Sequence, residues 1–318
     1  MVMKLLKFSG YLLYTLVVVS LLLWYKFPTD ALKSRIEKDL NMMTPTLQWV
    51  VQEIALLPPF NVQLRNISIA GKEKKKALLV VNTMHLRPDF MAWKNTETIA
   101  AQYKMNLLSG TVVGRLSLAK DRSALEYDGL MQDIKIDNKE LAFIQQEYQR
   151  TVRGTLSGNF SGVRKLEKSA QSLQGKFIFA QGEIGLQQPV MGMKTLDFDS
   201  IETTLNFAAG TMSLGEGKIT SPLFAANFKG SLHTAVPCSL SRIQLTGAFQ
   251  PGSEFTASIS SPSLVHMLEK EIQKGSLPFT VNGLLQEPGI IFTSLPPAFN
   301  RQMGVQKKQL RQSPERSR

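Results

Sequence analysis

The sequence predicts a mainly β protein: a single N-terminal transmembrane helix, then a long, curled antiparallel β-sheet (half-pipe or sandwich) with a few short helices. Three observations carry this. Phe8 to Tyr25, FSGYLLYTLVVVSLLLWY, is 18 residues without a charge. Most of the remainder alternates apolar and polar residues at period two, the mark of strands with one wet face. The alternating segments are separated by short, glycine-containing intervals, which suits hairpins; parallel pairing needs long crossovers. An open sheet of ten or more strands tends to curl or split, so the apolar faces are expected to wrap towards one another.

The opening stretch, with Leu5, Leu6 and Phe27, has the length of a membrane span. Lys4 and Lys7 precede it, and Trp24 and Tyr25 close it as an interfacial aromatic pair, so these four are the candidate membrane-interface anchors. The positive-inside rule puts the N-terminus in the cytoplasm and the bulk of the chain across the membrane. A cleaved signal peptide would want a shorter apolar region and a small-residue cleavage site, whereas this stretch runs into WYKFP. Residues 1–27 therefore read as cytoplasmic tip and anchor, 28–297 as a β-rich domain, and 298–318 as a basic, disordered tail.

Within 28–297 the elements follow in order. Thr29 is placed to cap a helix whose Leu32, Ile36 and Leu40 share one face. LQWVVQEIALL (47–57) is too short and too charged, with Glu53, for a second span, and its structure stays open. VQLRNISIAG and ALLVVNTMHLRP read as two strands joined by the charged turn KEKKK (72–76). Further short strands follow from Met105, and NKELAFIQQEYQR (138–150) reads as a helix. Strands resume at GTLSGNFSG (154–162) and LQGKFIFAQGEIGL (173–186), where Phe177 and Phe179 alternate with Lys176 and a tight turn is expected after them. Ile201, Thr203, Leu205 and Phe207 oppose Glu202, Thr204 and Asn206; a turn is expected at Gly210. Gly215 and Gly217 read as another hairpin turn. Phe224, Ala226, Phe228 and Leu232 share a face, as do Ile243, Leu245 and Phe249. SPSLVHMLEKEIQK (261–274) is a second helix, and Phe279, Val281 and Leu285 close the pattern. The candidate apolar groove or core face is Phe177, Phe179, Leu205, Phe207, Phe228 and Leu245. Alternation alone does not separate a sealed core from a partly open groove.

Several segments together resemble a known family. FPTDALKSRIEKDL behind a single span, then LPPFNVQLRNISIAG, resembles the opening of AsmA-like envelope proteins. GTLSGNFSG, LQGKFIFAQGEIGL, MKTLDFDSIETTLNFAAGTMSLGEGKITSPLFAANFKGSL and LPFTVNGLLQEPGI, in that order, are similar to the type II secretion system protein N family of Gram-negative envelopes. The resemblance implies an inner-membrane-anchored periplasmic protein. It would be an accessory part of a type II secretion apparatus or, through AsmA-like kinship, a lipid-binding or lipid-transfer protein. The implied partners are the bacterial inner membrane, other secretion proteins and phospholipid. The family has no catalytic residues to carry over, and residues beyond 297 have no counterpart in it.

Candidate chemistry is sparse. His85, His233 and His266 are far apart without a ligand pair, so no metal or other cofactor is expected. Cys238 stands alone, which excludes an intrachain disulfide and a cysteine metal cluster. The serines of GTLSG lack nucleophile-elbow spacing, and no phosphate-binding GxxxxGK[ST] occurs. Asp197 and Asp199 share a strand face with each other, but it is the wet face opposite Leu196 and Phe198. The sequons at Asn66 and Asn159 carry no meaning in a bacterial setting. The formal charge of +12 is scattered apart from KEKKK and the tail, where Arg301 to Arg318 supply six basic residues against Glu315. Such an excess suits a solvated surface or anionic head groups, and no nucleic-acid motif accompanies it. The expectation is a protein that is not an enzyme.

Overall fold

The computed structural model describes residues 28–44, 47–57, 61–71, 77–95, 97–137, 151–165, 170–190, 193–235, 240–258, 262–273, 275–285 and 287–295, with 10–12, 14, 15 and 18. It is mainly β. Fourteen strands form one antiparallel sheet whose spatial order is the sequence order. The chain divides into two compact units, Met1–Pro88 and Asp89–Arg318, a division inside the expected 28–297 region.

In the first unit, helix α1 (Thr29–Met43) precedes β1 (Leu47–Leu57), β2 (Asn61–Gly71) and β3 (Ala77–Pro88). Thr29 is the first helical residue and not the cap; Pro28 holds the cap position without a side-chain bond. Leu32, Ile36 and Leu40 are half-buried. Lys33, Glu37 and Asn41, four apart, lie along one stripe of the helix and hydrogen-bond the outer edge of β1. The Val51 amide donates to Glu37 Oε1 at 2.7 Å, the Trp49 amide donates to Asn41 Oδ1 at 2.8 Å, and Lys33 Nζ donates to the Gln52 carbonyl at 3.1 Å. An edge strand otherwise offers bare donors and acceptors to any neighbouring chain. Here helix side chains occupy them.

The second unit is a meander. Helix α2 (Phe90–Asn95) leads into β4 (Thr98–Leu107), β5 (Gly110–Ala119) and β6 (Ala124–Ile136). Then come β7 (Val152–Lys165), β8 (Ala170–Val190), β9 (Met193–Ala208), β10 (Thr211–Thr220), β11 (Phe224–His233) and β12 (Arg242–Pro251). Helices α3 (Ser253–Ser258) and α4 (Pro262–Ile272) interrupt before β13 (Leu277–Leu284) and β14 (Glu287–Phe292). The expected turn at Gly210 joins β9 to β10, with Ala209 and Gly210 both at positive φ, 48° and 78°, as a two-residue primed turn requires.

Three expectations need correction, and one open question is answered. The sheet is neither closed nor strongly curled. Instead of rolling up, it covers part of its apolar face locally. Phe255 of α3 and Leu268 of α4, both fully buried, pack with Phe224, Phe249, Leu277 and Phe292 of β11 to β14. Phe249 is the hub, with ring centroids 4.9 Å from Phe224, 5.5 Å from Phe255 and 5.8 Å from Phe292.

Second, LQGKFIFAQGEIGL contains no turn. It lies inside the 21-residue β8. Gln181 sits at φ 49°, beside the register shift between Arg153 and Thr155 of β7. A bulge of this kind re-aims the strand without ending it. Third, Gly215 and Gly217 belong to β10 and not to a hairpin turn. The register slips between Leu214 and Gly217, and the Phe228 ring occupies the space a Gly217 side chain would need.

That last contact is one of many. Tyr103, Tyr127, Phe160, Phe177, Phe179, Phe198, Phe228 and Phe279 each stand over at least one glycine of a neighbouring strand. A Cβ at Gly175 would come 2.9 Å from the Phe177 ring, and one at Gly247 would come 2.6 Å from the Phe279 ring. Of the glycines that read as turn punctuation, Gly175, Gly182 and Gly217 are seats for aromatic rings, a known device for pinning register in sheets.

The segment left open, LQWVVQEIALL, is a strand, β1, although its sequence lacks alternation. The expected span of 8–25, with Lys4, Lys7, Trp24 and Tyr25, falls largely or wholly outside the described residues. So do KEKKK, the helix expected at 138–150, Cys238 and the expected tail, 298–318. Among the described residues no helix is long and apolar enough to cross a membrane.

Candidate functional site

Strand register decides which side chains share a face, because residues directly opposite in an antiparallel pair project to the same side. Leu205 of β9 pairs with Leu214, Leu214 with Gly230, Gly230 with Leu245, Leu245 with Val281, and Val281 with Ile290. Gly175 of β8 pairs with Leu205. Phe177, Phe179, Phe207 and Phe228 lie at even spacings from members of this row, so all six candidate residues project from one face. All six are half-buried.

The opposite face is polar along the neighbouring row. Asp128, Ser161, Gln174, Asn206, Ser213, Ser231, Gln244 and Asn282 pair in succession across eight strands. Lys176 and Glu202 meet there at 3.8 Å, both partly solvated. Asp197 and Asp199 are exposed, and among the described residues no group of three metal-capable side chains gathers. His85 Nε2 lies 3.4 Å from Gln63 Nε2, and His233 Nδ1 lies 3.2 Å from Thr211 Oγ1.

The apolar face opens into a cleft of about 270 Å³. Ile184 and Leu186 of β8 and Leu196 and Ile201 of β9 form one side. Phe228 and Leu245 lie in its middle, and Phe279, Val281 and Ile290 form the other side. Every lining residue is apolar. Phe224, Ala226, Phe249 and Phe292 belong both to the cleft and to the core sealed by α3 and α4, so one end of the cleft is floored by packed side chains. The bend of β8 and β9 makes this possible. Before it the apolar side of β8 carries odd-numbered Phe177 and Phe179, and beyond it even-numbered Ile184 and Leu186 take that side.

Only Phe228 and Leu245 of the six candidate residues line the cleft. Phe177 is seated over Gly158 and Gly175, and Phe179 stands over Gly154 with its ring 5.1 Å from Phe198. Leu205 and Phe207 continue the same face outside the cleft. Ile184, Leu196, Ile219 and Ile290 were not singled out by sequence reasoning. The signal for them was the two-residue spacing of IGL at 184–186 and of Leu196 with Phe198, which only the bend connects to β11 and β12.

Two larger hollows, of about 810 and 450 Å³, lie along β5 to β10. They are broad troughs along the polar row, with Asp128, Ser161 and Gln174 in both. The small cleft differs in kind: none of its described lining side chains can hydrogen-bond, so an apolar occupant would lose no polar partner to them on entering. Comparison with family models, with characterised proteins and with solved structures returned no match.

Proposed function

We propose that this protein is a non-enzymatic binder of acyl chains, tethered by residues 8–25 to a bacterial inner membrane with its β-rich bulk in the periplasm. The observation that carries the reading is the wholly apolar lining of the cleft between Leu196 and Ile290, on a sheet face that is elsewhere half-buried. A volume of about 270 Å³ suits a narrow apolar chain better than a bulky ligand. Each methylene moved there from water contributes about 0.8 kcal/mol. Kinship with AsmA-like proteins, suggested by the sequence segments quoted above, fits the same reading.

The test uses a naturally fluorescent polyene fatty acid whose emission rises in apolar surroundings. Leu245→Trp and Ile290→Trp, from the middle and the far side of the cleft, each fill it. The reading predicts binding to the native chain and loss in both variants, with thermal unfolding confirming that they fold. Unchanged binding in two folded variants would remove the cleft as the site.

An accessory structural role in a type II secretion apparatus is the second reading. The observation favouring it is that β14 is terminal in the sheet order, a position from which a partner strand can extend a sheet. Co-purification with other apparatus components and loss of exoprotein secretion on deletion would support it. Neither result is expected of a protein that only carries lipid.

A further inference from the structure

Among the described residues of the second unit, the short helix α2 carries the most exposed large apolar group. Met91 is 76% exposed, Phe90 51% and Trp93 37%, with Ile99 of β4 beside them in sequence at 42%. Their display is built, because the helix is held from beneath. Asp89 caps it, its Oδ1 accepting from the Ala92 amide at 3.1 Å, and Arg115 of β5 pairs with the same carboxylate at 3.2 Å. Ala92 is buried, and the Trp93 indole N–H donates to the Ala100 carbonyl at 2.9 Å. Phe90 packs edge-on against Trp93 with centroids 5.1 Å apart. Packing inward only Ala92 leaves Met91 and part of both rings facing outward.

The same end of the sheet is basic. The Lys120 amide donates to the Glu97 carbonyl at 2.9 Å, which sets the β5–β6 turn beside the exit from α2. Ala124, where β6 begins, pairs with Lys165. Lys94, Lys120, Arg122 and Lys165 are all exposed there, against Glu97 and Asp121. Exposed Trp, Phe and Met collared by Lys and Arg is the chemistry of a membrane interface: aromatic rings sit at the head-group level and cations meet anionic lipid.

We propose that α2 and the β5–β6 turn form a membrane-docking surface for anionic lipid, separate from the N-terminal span and independent of the cleft. The aromatic and methionine side chains enter the head-group boundary while Lys94, Lys120, Arg122 and Lys165 pair with lipid phosphates.

The experiment takes the full chain with Trp24→Phe and Trp49→Phe, leaving Trp93 as the sole tryptophan. It is reconstituted into vesicles of equal parts phosphatidylcholine and phosphatidylglycerol bearing bromine on their acyl chains. Trp93 fluorescence should be quenched, and Met91→Glu, a change at a mostly solvated side chain, should relieve the quenching. Lys120→Ala with Arg122→Ala should lower the docked-to-undocked ratio roughly thirtyfold. Absence of quenching in phosphatidylglycerol vesicles, or quenching indifferent to Met91→Glu, would overturn the proposal. Equal quenching in phosphatidylcholine alone would overturn its anionic part.

Discussion

Replacing Gly129 by Ala tests the idea that glycines in this sheet are ring seats. Gly129 lies in β6, buried, and an added Cβ would stand 2.5 Å from the Tyr103 hydroxyl oxygen and 2.5 Å from Phe160 Cζ. Ordinary contact begins near 3.4 Å, so one or both rings must move. Tyr103 is itself buried, and its hydroxyl donates to the Asp128 carbonyl at 2.8 Å; displacement stretches that bond. Overpacking of this kind costs about 1–3 kcal/mol. The weakened hydrogen bond adds about 1 kcal/mol. Relief of glycine's strand penalty returns roughly 0.5–1 kcal/mol. The net expectation is destabilisation of about 1–3 kcal/mol, a fall in Tm of several degrees for a unit of this size. Thermal unfolding followed by circular dichroism measures it. Gly289→Ala is the control, since its Cβ would meet only the Asn282 carbonyl at 3.5 Å, and it should leave Tm within error or raise it. Adding Tyr103→Phe to Gly129→Ala removes one of the two closest atoms and should recover part of the loss. A neutral or stabilising Gly129→Ala would refute the reasoning.

Three further outcomes are expected. Glu37→Ala strands the Val51 amide, which is fully buried, and should destabilise the first unit by about 1–3 kcal/mol, with faster hydrogen exchange at Val51; Glu37→Gln should retain most of the protection. Leu268→Ala opens a cavity under α4 and should cost about 2–5 kcal/mol, read from denaturant midpoints. Burial, with a smaller contribution from the Asp128 charge, pushes the Tyr103 phenol up to about 12 from 10.0. Because the folded state favours the neutral phenol, its contribution is complete below pH 10 and is lost as pH rises towards 12. Ultraviolet titration should show one tyrosine ionising late, a lag abolished by Tyr103→Phe.

Strands with one wet face were legible because their alternation survives in sequence. Ile201 to Phe207 is the clearest case, and register places Leu205, Phe228 and Leu245 on a shared face. Helix α4 was legible within 261–274, and α1 in the spacing of Leu32, Ile36 and Leu40. What escaped was set by partners far along the chain. Leu47–Leu57 hides its strand character because exposed Val50 interrupts the alternation of apolar and polar residues, and the α1 side chains that hold its edge are bonded to backbone groups, which leave no pattern in the sequence. Gln181 bends β8 through a positive φ that no sequence rule assigns to glutamine, and that bend brings Ile184 and Leu196 to the cleft. Gly217 looks like a turn until Phe228 is seen lying on it. Helices α3 and α4 cover the apolar face of β11 to β14, where sequence reading expected the sheet itself to wrap over it. The exposed side of α2 left only a faint trace, an Asp before a short aromatic stretch ending in Lys94.

The most direct test of acyl-chain binding is photocrosslinking of the full chain, in bilayers, with a phospholipid carrying a diazirine near the end of one acyl chain. Peptide mapping locates the adducts. Acyl-chain binding in the cleft predicts crosslinks at Leu196, Phe228, Leu245 or Phe279, suppressed in Leu245→Trp. Crosslinks confined to Phe8–Tyr25, with none in β8 to β14, would contradict it.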